Sequence, residues 1–117
     1  MKKFMMILVA AVLSMGISAN SENRNGFDSH ADVVKAHDTD TYRIYCYSGE
    51  EAEVLVIGDG DTDLDVYVYD ENGNLIEKDI RPGDDCYVNW TPKWSGYFKI
   101  KIKNWGNVSN RYVMMKD

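Results

Sequence analysis

Apolar and polar residues alternate along much of the chain with a period of two, which is typical of β-strands that face a core on one side. In the stretch from Leu64 to Tyr69, Leu64, Val66 and Val68 fall on one face and polar or aromatic residues fall on the other. A second alternation covers residues 97–103, where phenylalanine and isoleucine alternate with three lysines. Both stretches are predicted to be half-buried strands.

The remaining segments are also short and are separated by turn signals. Residues 52–57 form an almost continuous apolar, β-branched run, which predicts a central strand. Asn72-Gly73 predicts a tight hairpin with two residues at positive φ. Further strands are predicted at residues 30–36, 41–47, 75–78, 86–90 and 111–115. Seven or eight short strands without a convincing helical segment predict an all-β fold, an antiparallel β-sandwich.

The N-terminal segment has the layout of a secretory signal peptide. Two lysines precede an uncharged apolar run over residues 4–13, small residues follow up to Ala19, and the chain then becomes abruptly polar. We expect residues 1–19 to be the signal peptide, 20–29 a flexible leader and 30–117 one domain. This predicts a secreted or periplasmic protein without membrane contact after cleavage; the alternative is an uncleaved anchor.

Charge narrows the classes of partner. The whole chain of 117 residues has a net charge of −6, and the 11 basic and 19 acidic residues of the expected mature form give −8. An acidic protein of this kind is not expected to bind nucleic acid. Its oligomeric state cannot be predicted from composition.

The chain has two cysteines, Cys46 and Cys86, both at inward positions of predicted strands. An exported protein meets oxidising conditions, so a disulfide between them is one prediction. Two buried free thiols are the equal alternative, because a bridge requires Cα atoms within roughly 7 Å of each other.

Several motifs together resemble the bacterial pre-peptidase C-terminal domain. They are the acidic turn and strand from Gly58 to Tyr69, the Asn-Gly turn that follows, the Trp-Thr-Pro segment at 90–92, the Ser-Gly-Tyr-Phe strand at 95–98 and Asn-Arg-Tyr at 110–112. The resemblance covers about residues 41–114 and implies a jelly-roll-like sandwich that acts as a non-catalytic accessory module of secreted enzymes. It also implies a link with calcium through related collagen-binding modules. No peptidase precedes the domain here, so we expect a stand-alone secreted module.

The acidic turn is the candidate metal site. Four carboxylates occur at every second position, and Ca²⁺ prefers six to eight oxygen ligands. They belong to Asp59, Asp61, Asp63 and Asp65. The spacing excludes an EF-hand. The alternative is that Asp59 and Asp61 shape the turn through hydrogen bonds to the backbone, and that Asp63 and Asp65 lie on a solvated strand face.

Aromatic residues at outward or turn positions are the candidate ligand-binding residues. They are Tyr45, Tyr47, Tyr67, Tyr69, Trp94 and Trp105. Exposed rings on a sheet hold sugars or peptides in many binding modules, whereas the alternative is cross-strand pairing that stabilises the sheet. We find no catalytic motif, so we predict a non-catalytic binding module for an extracellular protein or polymer. The alternative function is a structural, secretion or maturation domain without a ligand, and a small hydrolase is a distant third.

Overall fold

The structure is a computed structural model that describes residues 28–117; the predicted signal peptide and residues 20–27 of the leader lie outside them. The described part consists of eight β-strands and their connections. Their bounds are β1 Asp28–Val34, β2 Thr39–Cys46, β3 Ala52–Ile57, β4 Leu64–Tyr69, β5 Leu75–Asp79, β6 Asp85–Trp90, β7 Gly96–Asn104 and β8 Asn110–Lys116. Within residues 28–117, no helix is long and apolar enough to span a bilayer.

The strands form two four-stranded sheets in the orders β1-β8-β3-β6 and β2-β7-β4-β5, in which all neighbours are antiparallel. The predicted all-β antiparallel sandwich is therefore confirmed. β3 lies between β8 and β6, and five of its six residues are buried, as its continuous apolar run predicts.

The core lies between the two sheets and is built from the inward positions that the alternation predicts. Leu64, Val66 and Val68 of β4 are at most 1% exposed, and Ile100 and Ile102 of β7 are fully buried. Burial of each such side chain contributes about 1.5–3 kcal/mol to folding. These contacts fix the alternation, so every second residue of β4 and β7 must point away from the core.

Two local predictions need correction. β1 begins at Asp28, so the first two of its residues belong to the sheet rather than to the leader predicted over 20–29. The Asn-Gly turn contains one residue at positive φ, Gly73 at 87°, whereas the φ of Asn72 is not positive. Gly73 N–H donates to the Asp70 carbonyl and Asp70 N–H donates to the Asn74 carbonyl, so the loop is longer than a two-residue hairpin. The register of β4 and β5 accordingly shifts after Val68.

The candidate disulfide does not form in this structure, because the two cysteines lie at opposite ends of the sandwich. Both are buried free thiols. Cys46 pairs with Gly96 at the start of β7, whereas the Cys86 thiol donates to the carbonyl of Leu64, whose partner Asn104 ends β7. Nine residues of strand separate these ends by roughly 27 Å, far beyond disulfide reach.

Candidate functional site

The outward-pointing residues of the sheet β2-β7-β4-β5 form a surface that we call the tyrosine face. Cross-strand registers arrange these residues in rows, each about 7 Å from the next along the strands. From one end of the sheet to the other, the rows are Tyr45–Tyr97, Arg43–Lys99–Tyr69–Leu75, Thr41–Lys101–Tyr67–Lys78 and Thr39–Lys103–Asp65. Tyr47 lies beyond the first row and Trp105 lies beyond the last row, because each directly follows the end of its strand.

Aromatic rings pack edge to face at the first end of the tyrosine face. Tyr45 contacts Tyr47 and Tyr97 with ring centroids 5.2 and 5.1 Å apart. The guanidinium carbon of Arg43 lies 4.1 Å from the centroid of the Tyr97 ring, within the range of a cation–π interaction. The three tyrosines remain 42–59% exposed, so this cluster offers apolar area to solvent as well as internal packing.

At the other end, a buried carboxylate holds two aromatic side chains in place. Asp65 Oδ2 accepts hydrogen bonds from Trp105 Nε1 at 2.8 Å and from the Tyr67 hydroxyl at 3.3 Å. Asp65 is 7% exposed, and its Oδ1 has no hydrogen-bond partner among the described residues. Burial raises the pKa of Asp65, an effect that the hydrogen bond from Trp105 opposes. Trp105 is itself 52% exposed, and its hydrogen bond to Asp65 fixes the orientation of the indole ring at the surface.

Cations and rings alternate across the middle of the face. The Tyr67 and Tyr69 rings are stacked with an interplanar angle of 26° and centroids 6.4 Å apart. Lys101 Nζ lies 5.2 Å from the centroid of Tyr69, and Lys103 Nζ lies 4.8 Å from that of Trp105. Such contacts hold the ammonium groups above the rings while leaving them open to solvent.

The structure thus brings together Tyr45, Tyr47, Tyr67, Tyr69 and Trp105, while Trp94 lies elsewhere. Trp94 stacks on Phe98, a core residue, with an interplanar angle of 24°, so it covers an end of the core rather than extending the tyrosine face. The assignment of all six as ligand-binding residues stays a prediction. Sequence reasoning did not include Tyr97, Arg43 or the lysines of β7 in this site. The alternation of β2 and β7 signalled their outward direction, but only the strand order places them beside the tyrosines of β4.

Three of the four aspartates of the candidate metal site have separate hydrogen-bond partners. Asp59 accepts hydrogen bonds from the backbone N–H groups of Asp61 and Arg111, at 3.0 and 2.9 Å. The Arg111 N–H is the main cause of the lowered pKa of Asp59. Asp63 accepts from Gly83 N–H at 2.9 Å, and Asp65 points to the tyrosine face. The bonds of Asp59 and Asp63 to backbone N–H groups agree with the turn-shaping alternative. Asp65 corrects it, because this carboxylate is buried and does not lie on a solvated strand face.

Within residues 28–117, no group of three or more His, Cys, Asp or Glu side chains is arranged to hold a metal ion. Asp84, which lies next to this loop, accepts from Gly60 N–H at 2.7 Å and from Asn110 Nδ2 at 2.8 Å. Its carboxylate therefore also serves the loop backbone. Calcium binding at positions 59–65 stays a prediction, for which these contacts provide no support.

A shallow pocket of about 220 Å³ lies at the tyrosine-rich end of the face. Arg43, Tyr97 and Lys99 line it together with residues 70–71 and Phe98. Pockets that enclose small molecules are typically about 300–1,000 Å³. The flat rows beside this pocket are better suited to an extended or large partner than to a small enclosed molecule.

Comparison with known proteins shows what fold this surface belongs to. No family model and no curated protein sequence matches the chain. The fold is that of the pre-peptidase C-terminal domain of a collagenase from Bacillus anthracis, with a TM-score of 0.67, 15% identity, and coverage of 77% of this chain and 88% of that domain. The resemblance inferred from the motifs is thus confirmed at the level of the fold.

Two other solved structures share the architecture. PliG from Aeromonas hydrophila, a periplasmic inhibitor of g-type lysozyme, matches with a TM-score of 0.60 at 12% identity, covering 83% of this chain and 91% of PliG. The Yersinia pseudotuberculosis-derived mitogen matches with a TM-score of 0.57 at 12% identity, covering 78% of this chain and 84% of the mitogen. At these identities the likeness concerns the fold and does not transfer a site.

Proposed function

We propose that this protein is a non-catalytic binding module, secreted or periplasmic, that holds a protein or polymer on its tyrosine face. The observation that carries the proposal is the cluster of exposed rings on one sheet, fixed by edge-to-face contacts and by Asp65. Rings that are already ordered lose little conformational entropy on binding, so their apolar area contributes efficiently to affinity. A lysozyme inhibitor and an accessory domain of a collagenase with the same fold support a role in which the sandwich binds and does not react.

The thiols also support a non-catalytic role. Burial raises the pKa of Cys46 to about 11 and that of Cys86 to about 12, so both remain protonated at neutral pH. A protonated, buried thiol is a poor nucleophile. The cysteines are therefore core residues and supply no nucleophile at the surface.

Binding can be tested with a panel of immobilised candidates: bacterial cell-wall sacculi, gelatin, neutral and charged polysaccharides, and a g-type lysozyme. The variant Tyr67→Ser/Tyr69→Ser removes the stacked pair from the centre of the face. The matched control Val33→Ser/Val108→Ser replaces two exposed apolar residues that lie outside the tyrosine face. We expect the tyrosine variant to lose binding while the control retains it.

Thermal unfolding of the same variants separates this proposal from the alternative of a purely structural domain. If the tyrosines only stabilise the sheet, the double variant unfolds at a lower temperature and binds any captured ligand like the wild type. That result would refute the tyrosine face as the binding surface. A protein that binds no member of the panel would favour the structural alternative.

A further inference from the structure

The tyrosine face is basic although the protein is acidic. Residues 28–117 contain 10 basic and 18 acidic residues, and five of the 10 basic ones lie on this face. They are Arg43, Lys78, Lys99, Lys101 and Lys103. The carboxylate in the same rows is that of Asp65, which is buried and bonded to Trp105. Asp70 and Glu71 lie beside Arg43 and Lys99 in the pocket at one end of the face, so the separation of charges is clearest in the rows of Lys78, Lys101 and Lys103.

The cations on the face lack carboxylate partners among the described residues. The ion pairs that form within residues 28–117 involve Arg81, Lys116 and His30, all outside the tyrosine face. Lys103 Nζ donates to the backbone carbonyl of His37 at 3.2 Å, a contact that leaves its charge uncompensated. The protein has an excess of carboxylates that could form ion pairs with these cations, but no such pair forms on this face among the described residues.

The register also places like charges opposite each other. Arg43 and Lys99 are directly paired across β2 and β7, and Lys101 follows on the same strand. Directly opposite like charges destabilise an antiparallel sheet, by up to about 1 kcal/mol for a pair. A sheet selected only for stability would place an acidic residue at one of these positions.

We propose that the tyrosine face binds a carboxylated polysaccharide, with the row of lysines neutralising its carboxylates and the rings stacking on its sugars. This inference rests on the proposed function, because it uses the same face and names its class of ligand. The lysines at 99, 101 and 103 are spaced about 7 Å apart, so an extended polyanion lying along β7 meets a cation at regular intervals.

The position of these groups on the face, rather than on a sheet edge, favours a glycan over an acidic peptide. An extended peptide gains affinity by pairing its backbone with an exposed strand edge. On the sheet face its N–H and C=O groups would be covered by rings without partners, which is costly. A sugar ring has an apolar C–H surface and hydroxyls at its rim, so it can stack on Tyr67, Tyr69 or Trp105 with its polar groups still solvated. Lys101 and Lys103, which lie over the rings of Tyr69 and Trp105, would then turn to the carboxylates of the polymer.

The test uses two ligands with the same sugar backbone: polygalacturonate and its fully methyl-esterified form, in which each carboxylate is replaced by a neutral methyl ester. Affinity is measured in EDTA by calorimetry or affinity electrophoresis. We expect the wild-type protein to bind the carboxylated form, with an affinity that falls as salt increases because exposed charges are screened. The esterified form should bind at least about tenfold more weakly, as expected for the loss of several surface charge pairs.

Two charge variants locate the effect. Lys99→Gln/Lys101→Gln/Lys103→Gln should lose roughly tenfold or more in affinity for polygalacturonate. The matched control Lys35→Gln/Lys93→Gln/Arg111→Gln removes the same charge from exposed residues outside the face and should bind like the wild type. A control that loses as much affinity would show that net charge alone matters, which overturns the inference.

The variant Lys99→Glu guards against misfolding as an explanation. It replaces the like-charge pair with Arg43 by an attractive one, so the melting temperature should be at least that of the wild type while affinity for polygalacturonate falls. Lost affinity in a protein that is equally or more stable supports a direct role of the charge. Unchanged affinity contradicts it.

The remaining outcomes separate this inference from the proposed function. Equal binding of the charged and esterified polymers, abolished by Tyr67→Ser/Tyr69→Ser, would refute the anionic ligand and leave the binding face intact. Tighter binding of poly-L-glutamate or of single-stranded oligothymidylate would refute the choice of a glycan. Binding of polygalacturonate that is unaffected by the tyrosine variant would refute the tyrosine face itself.

Discussion

Asp65→Asn should make the protein more stable at neutral pH, although it removes a charge that accepts two hydrogen bonds. The wild-type carboxylate is buried, and its Oδ1 lacks a hydrogen-bond partner among residues 28–117. Burial outweighs the bond from Trp105 and raises the pKa of Asp65, so the ionised form is less favourable in the folded than in the unfolded state. Asparagine keeps an acceptor for Trp105 Nε1 and removes the buried charge.

The expected gain is about 1 kcal/mol at pH 7. It comes from removing the buried charge and is small, because the amide group that replaces Oδ1 still has no partner and because Trp105 and Tyr67 stabilise the wild-type carboxylate. A gain of this size raises the melting temperature of a domain of this length by about 4–8 °C. Since the folded pKa of Asp65 is raised, its penalty disappears as pH falls towards the unfolded value of about 3.9. The advantage of Asp65→Asn should therefore shrink over the same interval.

Asp79→Asn is the matched control with the opposite sign. Asp79 is 6% exposed and accepts from Arg81 and from the Tyr87 N–H at 2.9 Å, which links β5 to β6 in the other sheet. The Arg81 side chain lowers the pKa of Asp79, so its contribution is present above the unfolded value of about 3.9 and is lost as pH falls through the folded value. Asp79→Asn should lose about 1.5–3 kcal/mol at pH 7, as for hydrogen bonds to a charged group. Thermal unfolding of both variants between pH 7 and pH 3 refutes the reasoning if both shift in the same direction at pH 7.

Three further measurements check local features. Gly58→Ala should destabilise the fold by about 1–3 kcal/mol, because an added Cβ would lie 2.3 Å from a carboxylate oxygen of Asp84, which is held by its own hydrogen bonds; a melting temperature equal to that of the wild type would contradict this. Alkylation of the unreduced, denatured protein followed by mass spectrometry should label both Cys46 and Cys86, and an unlabelled pair would contradict the free thiols. Unfolding in EDTA and in 1 mM Ca²⁺ tests residues 59–65. A site with a Kd of about 10 μM would add roughly 2.7 kcal/mol. We expect no calcium-specific shift, because Asp59 and Asp63 bond backbone N–H groups and Asp65 is directed to Trp105.

The inner half of the fold could be predicted from the sequence because it depends on local alternation. β3 has the bounds that its apolar run predicts, and the inward residues of β4 and β7 are buried as their phase requires. Those features need no knowledge of strand order. The turn at Gly73 was harder, since the pair Asn-Gly fits more than one hairpin geometry and the bulge after Val68 decides which one forms.

The candidate site could be predicted only in part, because it is a product of topology. The outward tyrosines of β2 and β4 were visible as a pattern, but β7 comes between them only in the strand order β2-β7-β4-β5. The same order brings Trp105 to Asp65, 40 positions earlier in the chain. The strand registers and the packing of β6 against β4 separate Cys46 from Cys86, which no local pattern could reveal.

The features that lower stability on the tyrosine face are also those that make it suitable for binding. Asp65 retains an unfavourable buried charge, and this charge orients the exposed indole of Trp105. Arg43 and Lys99 face each other as like charges, and this arrangement leaves both available to an external anion. Each conflict could be relieved by a single substitution, Asp65→Asn for the buried charge and Lys99→Glu for the like-charge pair. Local conflict without compensation inside the fold is expected at a functional surface, where the compensation comes from the ligand. The two conflicts lie on one face of one sheet, and this coincidence is the strongest physical reason to regard that face as the working surface of the protein.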